Sequence, residues 1–116
     1  MTKALVLGDG RPLMKKIQEF LKVVNSKIEL EKVLLFGSTA KHKRRKNSDV
    51  DLIVVSKSFS GLNNLERGKM LLDNWSFVEE LDLLMYTPEE FERVSKRPLV
   101  KEMIAEALNL TPKDDV

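Results

Sequence analysis

Apolar positions along the chain fall into two periods, and the change of period marks out the elements. Leu13, Ile17, Phe20, Leu21 and Val24 recur at helical spacing on one face. Pro12 suits the first turn, so a packing helix is expected there, with its lysines and Glu19 facing water. Val33, Leu34, Leu35 and Phe36 form a run too short for a lone helix and rich in strand formers, as a strand buried on both faces would be. Gly37 stops it. Ser38 then stands where it would cap a helix begun by Thr39, Ala40 and Lys41.

The apolar run resumes after Asp49, and its character from Leu52 to Val55 predicts a central strand covered on both faces. Residues 56–64 are polar and predict a loop. Asn63 with Glu66 three residues on has the form of a capping box, opening a helix with Leu65, Leu72 and Trp75 on its buried side and Met70 or Leu71 flanking. Gly68 inside that helix costs about 1 kcal/mol relative to alanine. Residues 78–86, VEELDLLMY, predict a further strand with Asp82 set inside it. Thr87-Pro88-Glu89-Glu90 is a helix start with cap, first-turn proline and a glutamate reaching back, which makes these glutamates structural. Phe91 and Val94 face the core until Pro98 ends that helix and opens a last one. There Val100, Met103, Ile104, Ala107 and Leu108 form a broad apolar face, part of it available as an interface. Residues 4–7 predict an extra edge strand with a Gly8-Asp9-Gly10 turn, and residues 111–116 a frayed tail.

The order is helix, strand, helix, strand, helix, strand and two helices, with long crossovers. A single sheet flanked by helices follows, an α+β fold of alternating order. The 116 residues suffice for one domain over 1–116 with a core burying about two-thirds of the unfolded surface. No apolar segment reaches the length of a membrane span, and the first ten residues hold too short an apolar stretch for a secretory signal, so a cytoplasmic location is expected. The absence of cysteine excludes disulfides and thiolate metal sites, leaving oxygen ligands or His42 for any metal.

Charge is unevenly spread. Lys41, Lys43, Arg44, Arg45 and Lys46 carry five of the positive charges, so a net +2 becomes −3 without them. Such a run is ordinarily a solvated helix end or loop, and without interleaved aromatics it makes a poor single-strand stacking platform. Its place between Gly37-Ser38 and the aspartates favours an equal reading as a rim that attracts triphosphate.

Candidate chemistry gathers around the same stretch. A glycine lets the backbone approach a ligand closely, and free N–H groups at a helix start attract anions, so Gly37 and Ser38 suit a phosphate; by itself, a Gly-Ser between strand and helix is an ordinary connection. Strand period two puts Asp49 and Asp51 on one face, where two carboxylates repel unless a cation neutralises them. Oxygen ligands favour magnesium, held by one or two carboxylates, waters and substrate phosphates. Taken alone, an Asp-x-Asp more often just starts a strand from a turn. Asp82 is the third unusual acid, costly to bury without a partner or a metal, and Glu80 is its alternative on the same face. Trp75 offers a surface for a nucleobase, but its spacing with leucines favours core packing.

Together, GSTAKHKRRKNSDVDL resembles the Gly-Ser, Ala, Ser-Asp-x-Asp-Leu pattern of the DNA polymerase beta nucleotidyltransferase superfamily, in particular its small stand-alone members, the minimal nucleotidyltransferases. Gly37, Ser38, Ala40, Ser48, Asp49, Asp51 and Leu52 fall on the family's positions. Lys41 and His42 depart from its usual arginine and glycine; Lys41 keeps the charge but loses the fork that grips phosphate. The resemblance implies a mixed sheet of three or four strands with the site at one end, and transfer of a nucleoside monophosphate, AMP from ATP in first place, to a hydroxyl acceptor with release of pyrophosphate. It implies phosphate contacts at Gly37, Ser38 and Lys41, two magnesium ions on Asp49, Asp51 and Asp82, and Asp82 as acceptor of the hydroxyl proton. Small members often pair with a HEPN-domain toxin and act as its antitoxin, which implies such a partner here. Two other classes stand behind this reading: a module that neutralises a partner protein by contact, and a nucleic-acid-binding domain using residues 41–46. Self-association is a further expectation.

Overall fold

The computed structural model describes residues 12–37 and 50–112. Its elements are α1 (Leu13–Asn25), β1 (Lys32–Phe36), β2 (Val50–Val55), a 3₁₀ turn (Lys57–Phe59), α2 (Asn64–Leu72), β3 (Leu81–Tyr86), α3 (Pro88–Val94), α4 (Pro98–Glu106) and β4 (Leu108–Asn109). The strands form one mixed sheet in the order β3-β2-β1-β4. β1 is antiparallel to β2, with Lys32 opposite Val55 and Phe36 opposite Asp51. β2 and β3 are parallel, from Val50 opposite Leu81 to Val55 opposite Tyr86. The predicted helix beginning at Ser38 and the predicted edge strand at 4–7 lie outside the described residues.

Strand alternation sorts the core into two layers. Val33, Leu35, Val50, Leu52 and Val54 point to one face, where α1 brings Ile17, Phe20, Leu21 and Val24 and α2 brings Leu71. Leu34, Ile53 and Val55 point to the other, covered by Phe91 of α3 and Met103 and Ile104 of α4. β2 is therefore buried on both sides, as its unbroken apolar run requires. Buried Ser56 ends the strand: its hydroxyl donates to the Glu29 carbonyl at 2.6 Å and accepts from the Ser58 amide at 3.0 Å, which shapes the 3₁₀ turn. Both predicted capping boxes form, Asn63 with Glu66 and Thr87 with Glu90.

Five expectations are corrected. Lys16 is only 3% exposed, and its ammonium lies 3.5 Å from Glu79 Oε2 and 5.5 Å from the centre of the Phe77 ring, so this lysine of α1 faces the protein rather than water. In α2 the buried stripe is Gly68 and Leu71, while Leu65 is 82% and Leu72 46% exposed. Gly68 faces Met85, whose Cε lies 3.9 Å from where a β-carbon would stand, an ordinary van der Waals distance, and with the buried side of α2 running through Gly68 and Leu71 the leucines at 65 and 72 fall outside it. Trp75 lies beyond the helix end, packs edge-on to Phe20 and Phe77 and donates from Nε1 to the Glu79 carbonyl at 2.7 Å, so it serves the core. Leu108 leaves the last helix for β4, opposite Leu35. Thr111, expected to fray, accepts from the Val33 amide at 2.9 Å through Oγ1, because β1 would otherwise present unpaired backbone at that edge.

Candidate active site

Three neighbouring strands bring their chemistry to one end of the sheet. β1 finishes at Phe36, and Gly37 follows it with φ of +81°, a conformation that glycine adopts without strain. A β-carbon built on Gly37 would stand 2.5 Å from Oδ2 of Asp51, so the bare glycine is what admits this carboxylate. Asp51 itself is opposite Phe36 on one side and opposite Asp82 on the other. Parallel neighbours in register share a face and sit about 4.8 Å apart between strands. The structure thus sets two carboxylates side by side next to a backbone turn with no side chain.

The two acids are not equally placed. Asp51 is half-buried and Asp82 exposed, which corrects the expectation of a carboxylate buried within β3. The apolar residues of β3 alternate around Asp82, and Leu81, Leu83 and Met85 turn to the α1–α2 side while Asp82 stays on the opposite face with its edge towards solvent. Glu80 precedes β3; its carbonyl accepts from the Val50 amide at 2.7 Å, extending the ladder by backbone alone. Register therefore selects Asp82 over Glu80 as the neighbour of Asp51. Asp49, Ser38 and Lys41, with the basic run at 41–46, lie outside the described residues.

Among the described residues no group of three or more metal-ligating side chains comes together. The described pair still suits a hard divalent cation. Two carboxylates in register on one face supply oxygen donors, and the bare Gly37 leaves room for the Asp51 carboxylate beside the turn. Cavities of about 450 and 480 Å³ lie elsewhere, one at the far end of β2 beside Phe91, the other between α2 and β3.

An ion pair that sequence reading passed over links α2 to α3. Arg67 Nη1 lies 2.7 Å from Glu90 Oε1, Nη2 3.0 Å from Oε2, and the guanidinium also donates to the carbonyls of Leu62 and Met85. The Arg67 guanidinium, with the Thr87 amide, holds the Glu90 carboxyl down at about 2. No local pattern announces it, because the partners are 23 residues apart.

The sequence matches the family model described as "Nucleotidyltransferase domain" over residues 17–111. No curated protein matches it. Among solved structures it is similar to a Sulfolobus solfataricus protein provisionally assigned as a nucleotidyltransferase, at 23% identity and a TM-score of 0.60 over 83% of this chain and 77% of the other. A toxin-antitoxin solved with AMP-PNP is similar at 17% identity and a TM-score of 0.52, over 83% of this chain and 73% of the other. BolA1 from Arabidopsis thaliana is similar at 16% identity and a TM-score of 0.52, over 65% and 94%. Similarity at these identities is similarity of fold, which different functions share.

Proposed function

The chain belongs to the nucleotidyltransferase domain family, and from that premise we propose that it transfers a nucleoside monophosphate, AMP from ATP in first place, to a hydroxyl acceptor. The observation that supports this is the pairing of Asp51 with Asp82 beside Gly37, at the end of the sheet where the sequence motif lies. The family generally uses a nucleoside triphosphate and a divalent metal. Asp51 and Asp82, with Asp49, would hold magnesium, two ions in our reading. When bound, the metal supplies neutralisation of phosphate charge and a lower pKa for the acceptor hydroxyl.

This chain's own groups would do the rest. Gly37 and Ser38 would present backbone N–H groups to the outgoing phosphates, and Lys41 would add a positive charge to the same region. The acceptor oxygen attacks the α-phosphorus, the bond to the bridging oxygen breaks, and pyrophosphate leaves. Asp82, exposed and reachable by an acceptor, would take the hydroxyl proton. For the acceptor we propose a hydroxyl on a partner protein, with a HEPN-domain toxin as first candidate; the similarity to a toxin-antitoxin solved with AMP-PNP supports a toxin as the partner and an adenine nucleotide as the substrate.

A second reading is favoured by one observation. An exposed carboxylate costs little to keep, so Asp82 would survive in a protein that had lost the chemistry and neutralised its partner by contact alone. The test is binding of ATP, GTP, CTP and UTP with and without magnesium, wild type beside Asp51→Asn, followed by transfer of α-labelled nucleotide to the partner. Magnesium-dependent binding that disappears in the variant supports the enzyme. Binding of no nucleotide leaves the contact module.

A further inference from the structure

Among the described residues β3 keeps part of one face open. Its even-numbered residues lie on the side of the sheet that α3 and α4 cover, but that cover is incomplete. α3 meets β3 where the Phe91 ring packs 6.2 Å from that of Tyr86, and α4 lies against β1. On the neighbouring β2 the same face is closed, with Ile53 1% and Val55 3% exposed beneath Phe91, Met103 and Ile104. The start of β3 escapes this cover: Glu80, Asp82 and Leu84 are all exposed, Leu84 by 39%. Glu80 belongs to the same row although the strand begins one residue later, because its carbonyl accepts from the Val50 amide and carries the ladder on. Strand rise spaces the three side chains about 7 Å apart, in the order acid, acid, leucine.

Asp82 has a part in the proposed transfer; Glu80 and Leu84 have none. No hydrogen bond or ion pair engages the Glu80 carboxylate among the described residues. An unpaired acid repels the polyphosphate of a nucleotide, so this end of the row suits the other substrate, and its complement is a cation. A single exposed leucine is ordinary. What distinguishes Leu84 is its place, two residues from Asp82 on the same face, where its complement is an apolar side chain.

We propose that Glu80 and Leu84 select the acceptor, an extended segment laid along this face with its hydroxyl at Asp82, a basic side chain at Glu80 and an apolar one at Leu84. This rests on the transfer reading above. An extended segment has the two-residue period of β3, so a hydroxyl residue at Asp82 brings the residues two positions away on either side to Glu80 and Leu84. The acceptor class is therefore a hydroxyl residue with a basic residue two positions to one side and an apolar residue two positions to the other. Glu80 and Leu84 set specificity without touching the reacting atoms.

Capped synthetic pentapeptides test this, with serine in the middle, leucine at one end and lysine or glutamate at the other, each in both orders. Their binding to the full chain is followed on the Leu84 methyl signals by NMR, beside the affinity for ATP with magnesium. The wild type should prefer the lysine peptide by at least about fivefold in one of the two orders, since an attraction replaces a repulsion at one exposed site. Glu80→Lys should reverse that preference, and Leu84→Thr should weaken the lysine peptide about threefold or more. Neither variant should change ATP affinity, and both positions are exposed, so both should fold. Equal binding of the two peptides by the wild type, a preference that Glu80→Lys leaves in place, or a change in ATP affinity instead of in peptide preference overturns the proposal. The transfer reading fails separately: preference and reversal in a protein that binds no nucleotide uphold this face as the docking surface and remove the chemistry.

Discussion

A β-carbon on Gly37 and the Oδ2 of Asp51 compete for one space: built there, the carbon stands 2.5 Å from the oxygen. The glycine also sits at φ +81°, which other residues adopt only with strain. Gly37→Ala should therefore lower stability by about 1–2 kcal/mol. It should weaken magnesium-nucleotide binding at least about tenfold, because the carboxylate is displaced. Denaturant melts and nucleotide titration check the two effects. Normal binding would show that Asp51 does not need that position.

Asp51 and Asp82 differ in exposure, and their variants should differ accordingly. Asp51→Asn and Asp82→Asn should each keep the fold, since each removes one of two like charges in register. Transfer should fall about 10²–10⁴-fold in both. Magnesium-nucleotide binding should be lost with Asp51 and largely retained with Asp82 if the latter's main part is the proton. Full turnover in Asp51→Asn would remove the metal reading.

Chelation provides an independent check. EDTA should abolish nucleotide binding, and magnesium or manganese should restore it, because carboxylate oxygens suit both ions. Binding that ignores EDTA would point to the basic residues as the whole of the phosphate site, and a steep loss with salt would then follow.

The Arg67–Glu90 pair predicts a response to acid. Glu90 is held at about 2, below the ordinary carboxylate value near 4.3 that it has in the unfolded chain. The unfolded state therefore takes up its proton first. The pair's contribution is complete above about pH 4.5 and is lost as pH falls towards 2. Solvent reaches the carboxylate, whose side chain is 32% exposed, so screening reduces the effect to about 1 kcal/mol. Melting temperature in Glu90→Gln should fall less steeply with acid than in the wild type. Arg67→Met should cost more, about 2–3 kcal/mol, because two backbone carbonyls lose a donor as well.

Lys16 and Glu79 form the more buried pair, and Glu79 Oε1 has no hydrogen-bond partner. Lys16→Met should destabilise by about 2–3 kcal/mol by leaving a carboxylate in apolar surroundings, and adding Glu79→Gln should recover more than half. Additive losses in the double variant would show the two residues to be independent.

The periodic part of this protein was open to reading. Helical spacing from Leu13 to Val24, the apolar runs of β1 and β2 and the two capping boxes are local properties, and each became the element that it predicts. The closeness of Gly37 and Asp51 follows from a motif whose residues are near in sequence, at the end of β1 and the start of β2. Other features depend on contacts between distant segments. Lys16 faces inward because Glu79 comes to it from 63 residues away, and Leu65 stands outward because α2 packs through Gly68 and Leu71, with Gly68 towards Met85 of β3. β4 exists because β1 has an edge to fill.

The sequence by itself determined the main helices and strands, and which residue types stand at the end of β1 and the start of β2. Those depend on the period of burial and on short-range caps. Only the tertiary structure decided that Asp82 and not Glu80 lies beside Asp51, that it does so in the open, and that the flank of β3 is apolar. Register between strands 31 residues apart is fixed by packing on both faces of the sheet, which no window of the sequence contains.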